Sequence, residues 1–198
     1  TPEQFRIAFR RVKEQVLHTA RFVQDLLFVA RAEDGKAPIH KSTMSIVPLI
    51  VDICEDFAVI AAQKNINIIN RYPKNEIVVN IDASKIRQVF TILLDNAVRY
   101  SYQDSTIEVD IRTRKTALIV EIKDSGIGLK HNETSQVFSR FYRGSEGSGK
   151  ASGTGLGLPV AKAIVEAHAG TISLQGEMGE GSTATVTLPL ILNHEVSQ

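Results

Sequence analysis

The sequence predicts a two-layer α/β sandwich, with helices on one face of a mixed sheet, preceded by one long helix. Three observations carry this. Residues 1–32 keep a helical apolar period without a break. Past residue 65, strand candidates come in pairs separated by helical stretches and do not alternate strictly with them. The neighbouring runs TIEVDIR and ALIVEIKD alternate apolar and polar side chains, as antiparallel strands covered on one side do.

The long helix opens with Thr1 as N-cap, Pro2 at the first helical position and Gln4 at capping-box spacing. Phe5, Phe9, Val12, Val16, Thr19, Val23, Leu26 and Ala30 recur at threes and fours, and Phe22, Leu27 and Val29 widen the stripe. So wide a stripe needs a partner helix. AEDGKAP then breaks the period with Gly35 and Pro38 and reads as a domain junction, dividing the chain into residues 1–40 and 41–198. A second helix over 45–64 places Ile46, Leu49, Ile50, Ile53, Phe57 and Ile60 on one face. INIIN (66–70) and IVVN (77–80) are short strands, and 83–101 is a helix facing inward with Ile86, Val89, Phe90, Leu93, Leu94 and Ala97. After the two alternating strands, Ser125 to Gly155 is rich in Gly, Ser and charge around the apolar island VFSRFY. An irregular segment of that length in a compact domain is usually a lid or binding loop. A helix over 156–168 and the strands TISLQ and STATVTLPL close the domain.

The 198 residues suffice for one well-buried core plus an appendage, and 43% hydrophobic with 23% charged is ordinary globular composition. A formal net charge of +1 gives no bulk reason to expect nucleic acid or an anionic membrane as partner. The single Cys54 reads as a buried helical thiol and fits a reducing compartment. With no run of 18 apolar residues and no signal peptide, the chain is expected to be cytoplasmic and not membrane-inserted. Because it begins at Thr1 and not Met, it is also expected to be a fragment or a processed chain, with room for a membrane segment upstream.

The stretch GSEGSGKASGTGLGLPVAKAI (144–164) carries two phosphate-binding readings. Gly144 to Lys150 fits the front of a P-loop, but the next residue, Ala151, has no hydroxyl for Mg²⁺, and RFYR precedes it instead of a buried strand. A dinucleotide fingerprint starting at Gly153 fails on Leu158. Gly153, Gly155 and Gly157 abut a helix, where backbone N–H groups and the helix dipole favour an anion; a flexible connector is the alternative. In KDSGIGL, Asp124 ends a strand before Gly126 and Gly128. This is either a plain turn or a carboxylate that accepts from an exocyclic amine beside room for a flat base. In LLDNAVRYS, Asn96 and Arg99 stand on neighbouring positions of one helix face, either facing solvent or offering an amide oxygen to Mg²⁺ with a cation nearby.

In their order and spacing, LLDNAVRYS, DSGIGL, VFSRFYRG and SGTGLGL resemble the N, G1, F and G2 boxes of the sensor histidine kinases, within the Bergerat-fold ATPases. The resemblance covers residues 45–190, and LLFVARAEDG is similar to the end of the second helix of the dimerisation and phosphotransfer hairpin. It implies an ATP-binding domain whose mixed sheet is backed by three helices. By the same resemblance Asn96 ligates Mg²⁺, Arg99 and Tyr100 line the phosphate and ribose, and Asp124 binds the adenine amine, with Gly126 and Gly128 shaping the base pocket. Phe138 and Phe141 anchor the lid, and Arg143 reaches the γ-phosphate. Gly153, Thr154, Gly155, Leu156 and Gly157 cradle the phosphates. The implied catalytic set is Asn96, Arg99 and Arg143, and the implied partners are a response regulator and a second copy through the N-terminal helix.

The chain departs from the family in two places. None of its five histidines carries the phosphoacceptor signature: His18 precedes Thr19 and Ala20, His40 and His131 sit in loops, His194 in the tail, and His168 at a helix end where it reads as a cap. The acceptor is therefore expected on a hairpin helix that this chain lacks. Ile92, one turn before Asn96, stands where the ATP hydrolases of the fold place a glutamate and the kinases usually a polar amide. The sequence also admits two other readings: a nucleotide-independent regulatory module of the same fold, and a Bergerat-fold ATPase or serine kinase.

Overall fold

The computed structural model describes residues 2–130, 133–144 and 154–191. The expected N-cap Thr1, the loop His131, the Walker-like Lys150, the cradle glycine Gly153 and the tail His194 lie outside the described residues. The elements in chain order are α1 (Pro2–Glu33), β1 (Ser42–Ser45), α2 (Ile46–Ala62), β2 (Asn67–Arg71), β3 (Val78–Ile81), α3 (Ala83–Tyr100), β4 (Thr106–Arg114), β5 (Ala117–Lys123), α4 (Gly157–Ala167), β6 (Thr171–Glu177) and β7 (Gly181–Pro189).

The main sheet has the strand order β2-β4-β5-β7-β6. It is mixed because β2 runs parallel to β4 while the other pairs are antiparallel. The register aligns Ile111, Val120 and Val186 in one row across β4, β5 and β7, and Val109, Ile122 and Ala184 in the next. All six are buried, in one core with α2, α3 and α4. The opposite face is polar, and there Arg112 bonds Asp110 and Glu121. This is the two-layer sandwich that the alternating strands predict, with three helices backing a mixed sheet. Its centre includes the fully buried Phe90, whose truncation to alanine would cost about 3–5 kcal/mol.

Two details differ from the sequence expectation. Ser42–Ser45 forms a short strand antiparallel to β3, giving a separate two-stranded sheet. Four polar or unbranched residues carry no strand signal of their own; β3 supplies the backbone partners. On α2, Ile60 is exposed and Ala61 takes the buried position, continuing the i, i+4 row of Ile53 and Phe57 to the end of the helix.

The broad apolar stripe of α1 resolves into two opposite sides. At 3.6 residues per turn, Phe5, Phe9, Val12, Val16, Val23 and Leu27 fall on one side, and all six are exposed. Phe28, Val29 and Ala32 lie on the other and pack against the domain. That contact is pinned by polar bonds. Gln88 Nε2 donates to Asp25 Oδ1 at 2.9 Å, Lys85 Nζ sits 4.5 Å from the Phe28 ring centroid, and Arg140 pairs with Glu33.

Candidate functional site

One cavity of about 350 Å³ opens between α3, the ends of β5 and β7 and the start of α4, within the usual size range of small-molecule sites. Its position follows from the sheet. The row Val109–Ile122–Ala184–Leu174 has an alanine on β7, and the small side chain leaves space where the neighbouring row carries Val186.

Helix α3 forms one wall. It is fixed at its start by Asp82, whose Oδ1 accepts the N–H groups of Ser84 and Lys85. Burial pushes the Asp82 carboxyl up, but bonds from His40, Ser84 and Lys85 outweigh it and hold the group below the usual carboxylate range. The inner side of α3 carries the core residues. The adjoining side turns Ile92, Asp95, Asn96, Arg99 and Tyr100 to the cavity, with Arg99 paired to Asp95 at 3.0 Å.

Strand β5 delivers Asp124, which is buried yet lines the cavity. Its N–H donates to Ser182 O at 2.8 Å, and in return Ser182 Oγ donates to Asp124 Oδ2 at 2.5 Å. Burial raises the carboxyl's pKa, and the bonds from Ser182 and Gly126 only partly offset this. Gly126 bridges to Ser101, behind the wall and not on it. Gly128 has φ +69°, and a Cβ there would sit on the Glu177 carbonyl, so the β6–β7 turn presses directly on this loop.

The fourth wall is the stem of the long loop. The Phe141 N–H donates to Gly155 O at 3.0 Å, which joins the two sides of the segment. Both residues are left-handed, at φ +64° and +69°, and a Cβ on Gly155 would come within 2.8 Å of the Phe141 carbonyl carbon. The steric demand at this glycine thus comes from the stem. Arg143, Thr154, Gly155 and Gly157 line the cavity, while Leu156 is buried beneath it and starts α4 with no side-chain cap on the helix amides.

The site therefore brings together Asn96, Arg99, Tyr100, Asp124, Gly128, Arg143, Thr154, Gly155 and Gly157. Two aromatic residues expected there lie elsewhere. Phe138 faces a second cavity against Val29 and Ala32 of α1, with Lys162 6.0 Å from its ring centroid, and the Phe141 side chain is exposed while its backbone holds the stem. Ser182 and the buried Glu133 line the cavity without any sequence signal. Both sit in runs that read as strand and loop.

Residues 81–192 match the family described as histidine kinase-, DNA gyrase B- and HSP90-like ATPase. The chain is 34% identical over 172 residues to the sensor histidine kinase WalK of Bacillus subtilis (strain 168), covering 85% of this chain and 28% of that protein. It is 33% identical over 180 residues to the sensor protein kinase WalK of Staphylococcus aureus, covering 89% of this chain and 43% of the relative. The chain thus spans less than half the length of these relatives. Among solved structures, the Acinetobacter baumannii histidine kinase AdeS shares the fold with a TM-score of 0.75 at 23% identity, over 92% of this chain and 84% of that one. Full-length ShkA, solved with AMPPNP, gives 0.73 at 22% identity, over 87% and 36%. The chain belongs to this ATPase family, as a catalytic domain of the sensor histidine kinase type.

Proposed function

We propose that residues 41–198 bind Mg-ATP in this cavity and transfer its γ-phosphoryl group to a histidine on a hairpin helix outside this chain, for relay to a response regulator. The observation that carries the reading is the convergence on one cavity of the Asp124 carboxylate, the Asn96 amide, the Arg143 cation and the uncapped start of α4. Asp124 accepts the exocyclic amine of adenine, with Ser182 holding the carboxylate in place. Arg99 and Tyr100 serve the ribose and phosphates, and Gly153, Thr154, Gly155, Leu156 and Gly157 offer backbone N–H groups to them. Arg143 meets the terminal phosphate. The Asn96 oxygen suits a hard cation that keeps most of its waters, and bound Mg²⁺ would neutralise charge on the phosphates. An imidazole nitrogen attacks the γ-phosphorus, the bond to the β–γ bridging oxygen breaks, and ADP leaves with that electron pair. The protein's work is positioning and charge neutralisation.

Residues 1–40 belong to the dimerisation and phosphotransfer hairpin as its second helix. The exposed stripe from Phe5 to Leu27 takes the partner helices of a homodimer, while the opposite side, through Phe28 and Val29, keeps the catalytic domain docked. No described helix is long and apolar enough to cross a membrane. Calorimetry with a non-hydrolysable ATP analogue tests the nucleotide reading. Mg²⁺-dependent binding is expected; none at millimolar ligand would leave a nucleotide-independent regulator of the same fold.

A further inference from the structure

Met178 stands in the turn between β6 and β7 with 52% of its surface exposed. Turns favour small or polar residues, and its exposed neighbours Glu177, Gly179 and Glu180 keep to that pattern. A lone exposed apolar side chain is common on protein surfaces. This one differs in its place: of the large apolar side chains exposed among the described residues, Met178 alone lines the cavity.

The backbone on both sides of Met178 is fixed. The Glu180 N–H donates to Glu177 O at 3.0 Å, closing a four-residue turn in which Gly179, at φ +81°, takes the third position that calls for glycine. The Gly179 N–H donates to Ile127 O at 2.9 Å, and the Glu177 carbonyl fills the space that a Cβ on Gly128 would need. On the return strand Ser182 bonds the Asp124 carboxylate through its hydroxyl and its N–H. The turn is thereby fastened to the loop that follows Asp124, which places Met178 at the Asp124 end of the cavity. Its side chain has three rotatable bonds and a polarisable sulfur, and so adapts to the surface laid against it.

Asp124 reads only one edge of a base. The ring faces must be covered by something else, since sites of this size enclose most of a ligand's surface. Around Asp124, Ile122 and Ala184 are already buried and Leu174 half-buried, so Met178 has the most apolar area left to lose.

We propose that Met178 is the shelf for the nucleobase, its thioether packing on a face of the ring whose amine Asp124 accepts. The inference rests on the nucleotide reading of the cavity. The contact adds affinity for any nucleotide carrying that base and is indifferent to the number of phosphates.

The chain has two methionines, so the contact can be read directly. Hydrogen peroxide transfers one oxygen atom to an accessible thioether, leaving a sulfoxide and water, and peptide mass spectrometry of the treated full chain follows each site. Met44, in β1, is half-buried against the core and outside the cavity, and serves as the internal reference. Saturating Mg-AMPPNP and Mg-ADP should each slow oxidation of Met178 about fivefold or more and leave Met44 unchanged. Mg-tripolyphosphate, which has no base, should leave Met178 at its free rate. In calorimetric titrations Met178→Ala should weaken AMPPNP and ADP by the same factor, about three- to tenfold, and Met178→Leu should recover to within about twofold of the parent. An exposed turn residue carries little of the fold, so the melting temperature of Met178→Ala should match the parent's. Oxidation of Met178 at its free rate with nucleotide bound, protection by tripolyphosphate, or a loss confined to AMPPNP would overturn the proposal. If the parent chain binds neither nucleotide, the nucleotide reading and the shelf fall together; if it binds both while Met178 stays open to peroxide, the shelf alone falls.

Discussion

Nε2 of His168, at the end of α4, accepts the backbone N–H of Asp82, at the start of α3, over 2.9 Å. Nδ1 of the same ring lies 2.7 Å from Ile164 O, so the neutral imidazole with its proton on Nδ1 satisfies both contacts. The Ile164 contact is the helix-end cap that the sequence suggests. The Asp82 contact joins two helices from segments far apart in the chain.

A pH dependence follows. Burial pushes the His168 pKa down, joined by the charge of Lys41, against the smaller opposing effects of Ile164 and Asp82. In the unfolded chain the ring titrates near about 6.5. Its contribution to stability is therefore complete above that pH and is lost as pH falls through the lower folded value, since a second proton on Nε2 removes the acceptor for Asp82. The carboxyl of Asp82, also lowered, gives way only below about 4. Denaturant unfolding at pH 7.5, 6.5 and 5.5 should show the parent losing stability across this range and His168→Gln, less stable throughout, losing distinctly less. Parallel curves would remove His168 as the source.

Asp124 has the opposite sign. Its carboxyl titrates higher in the fold than in the unfolded chain, because burial disfavours the charge, so holding it ionised costs folding free energy as pH rises through the folded value. Asp124→Asn is therefore expected to leave the melting temperature unchanged or raised at pH 7.5. It should weaken an ATP analogue by about tenfold or more, since a hydrogen bond to a charged acceptor contributes about 1.5–3 kcal/mol. Scanning calorimetry and titration calorimetry read the two effects separately. A loss of affinity under about threefold would mean that adenine does not sit on Asp124.

The sandwich was legible because its causes are local. Alternation in β4 and β5 and the helical period of α3 arise from burial on one side, and burial leaves its mark on every second or third residue. Asp124 and Gly128 were legible for a different reason, because a carboxylate at a strand end and a glycine in a tight loop stand out from their neighbours. Ser182 did not stand out. In STATVTLPL it is one hydroxyl among several, and only the β5–β7 pairing brings it to Asp124. Glu133 was hidden in the same way, since only the folded loop brings Gly144 back beside its carboxylate. The second side of α1 was visible as a widened stripe, but which half faces the domain is decided by Gln88 and Lys85, more than fifty residues on.

Gly155 and Lys150 separate the two glycine-rich readings of the loop. A Cβ at Gly155 would strike the Phe141 backbone, and its φ of +69° is unfavourable for alanine, so the stem must open. Gly155→Ala should weaken an ATP analogue by about tenfold or more, against less than about threefold for Lys150→Ala, a screened charge. The reverse order in calorimetric titrations would restore the P-loop.

Incubated alone with labelled ATP, the chain should gain no acid-labile, base-stable phosphate, because no histidine of its sequence carries the acceptor signature. An added polypeptide with the complete hairpin should become labelled. Phosphohistidine on this chain alone, located by mass spectrometry, would identify an acceptor among its own five.

Ile92 sits on the cavity wall one turn before Asn96, half-buried, with its Cγ2 3.2 Å from where a Cβ on Gly157 would lie. It faces the start of α4, at the end of the cavity read as taking the phosphates. A branched alkyl group there has no proton acceptor with which to activate water, and general-base help is worth about 10² to 10⁴ in rate. Free hydrolysis of bound ATP should accordingly be very slow. The same side chain also withholds a hydrogen bond from the water shell of a cation on Asn96. Ile92→Asn restores a polar amide, and because Ile92 is only half-buried the lost packing should cost no more than about 1–2 kcal/mol. The variant should bind Mg-AMPPNP about three- to tenfold tighter than the parent, with no change in the absence of Mg²⁺. A magnesium-independent gain would place the new contact on the phosphates. No gain, with a stability loss of about 3 kcal/mol or more, would show that Ile92 serves the core beside Leu93 and that its place on the wall is incidental.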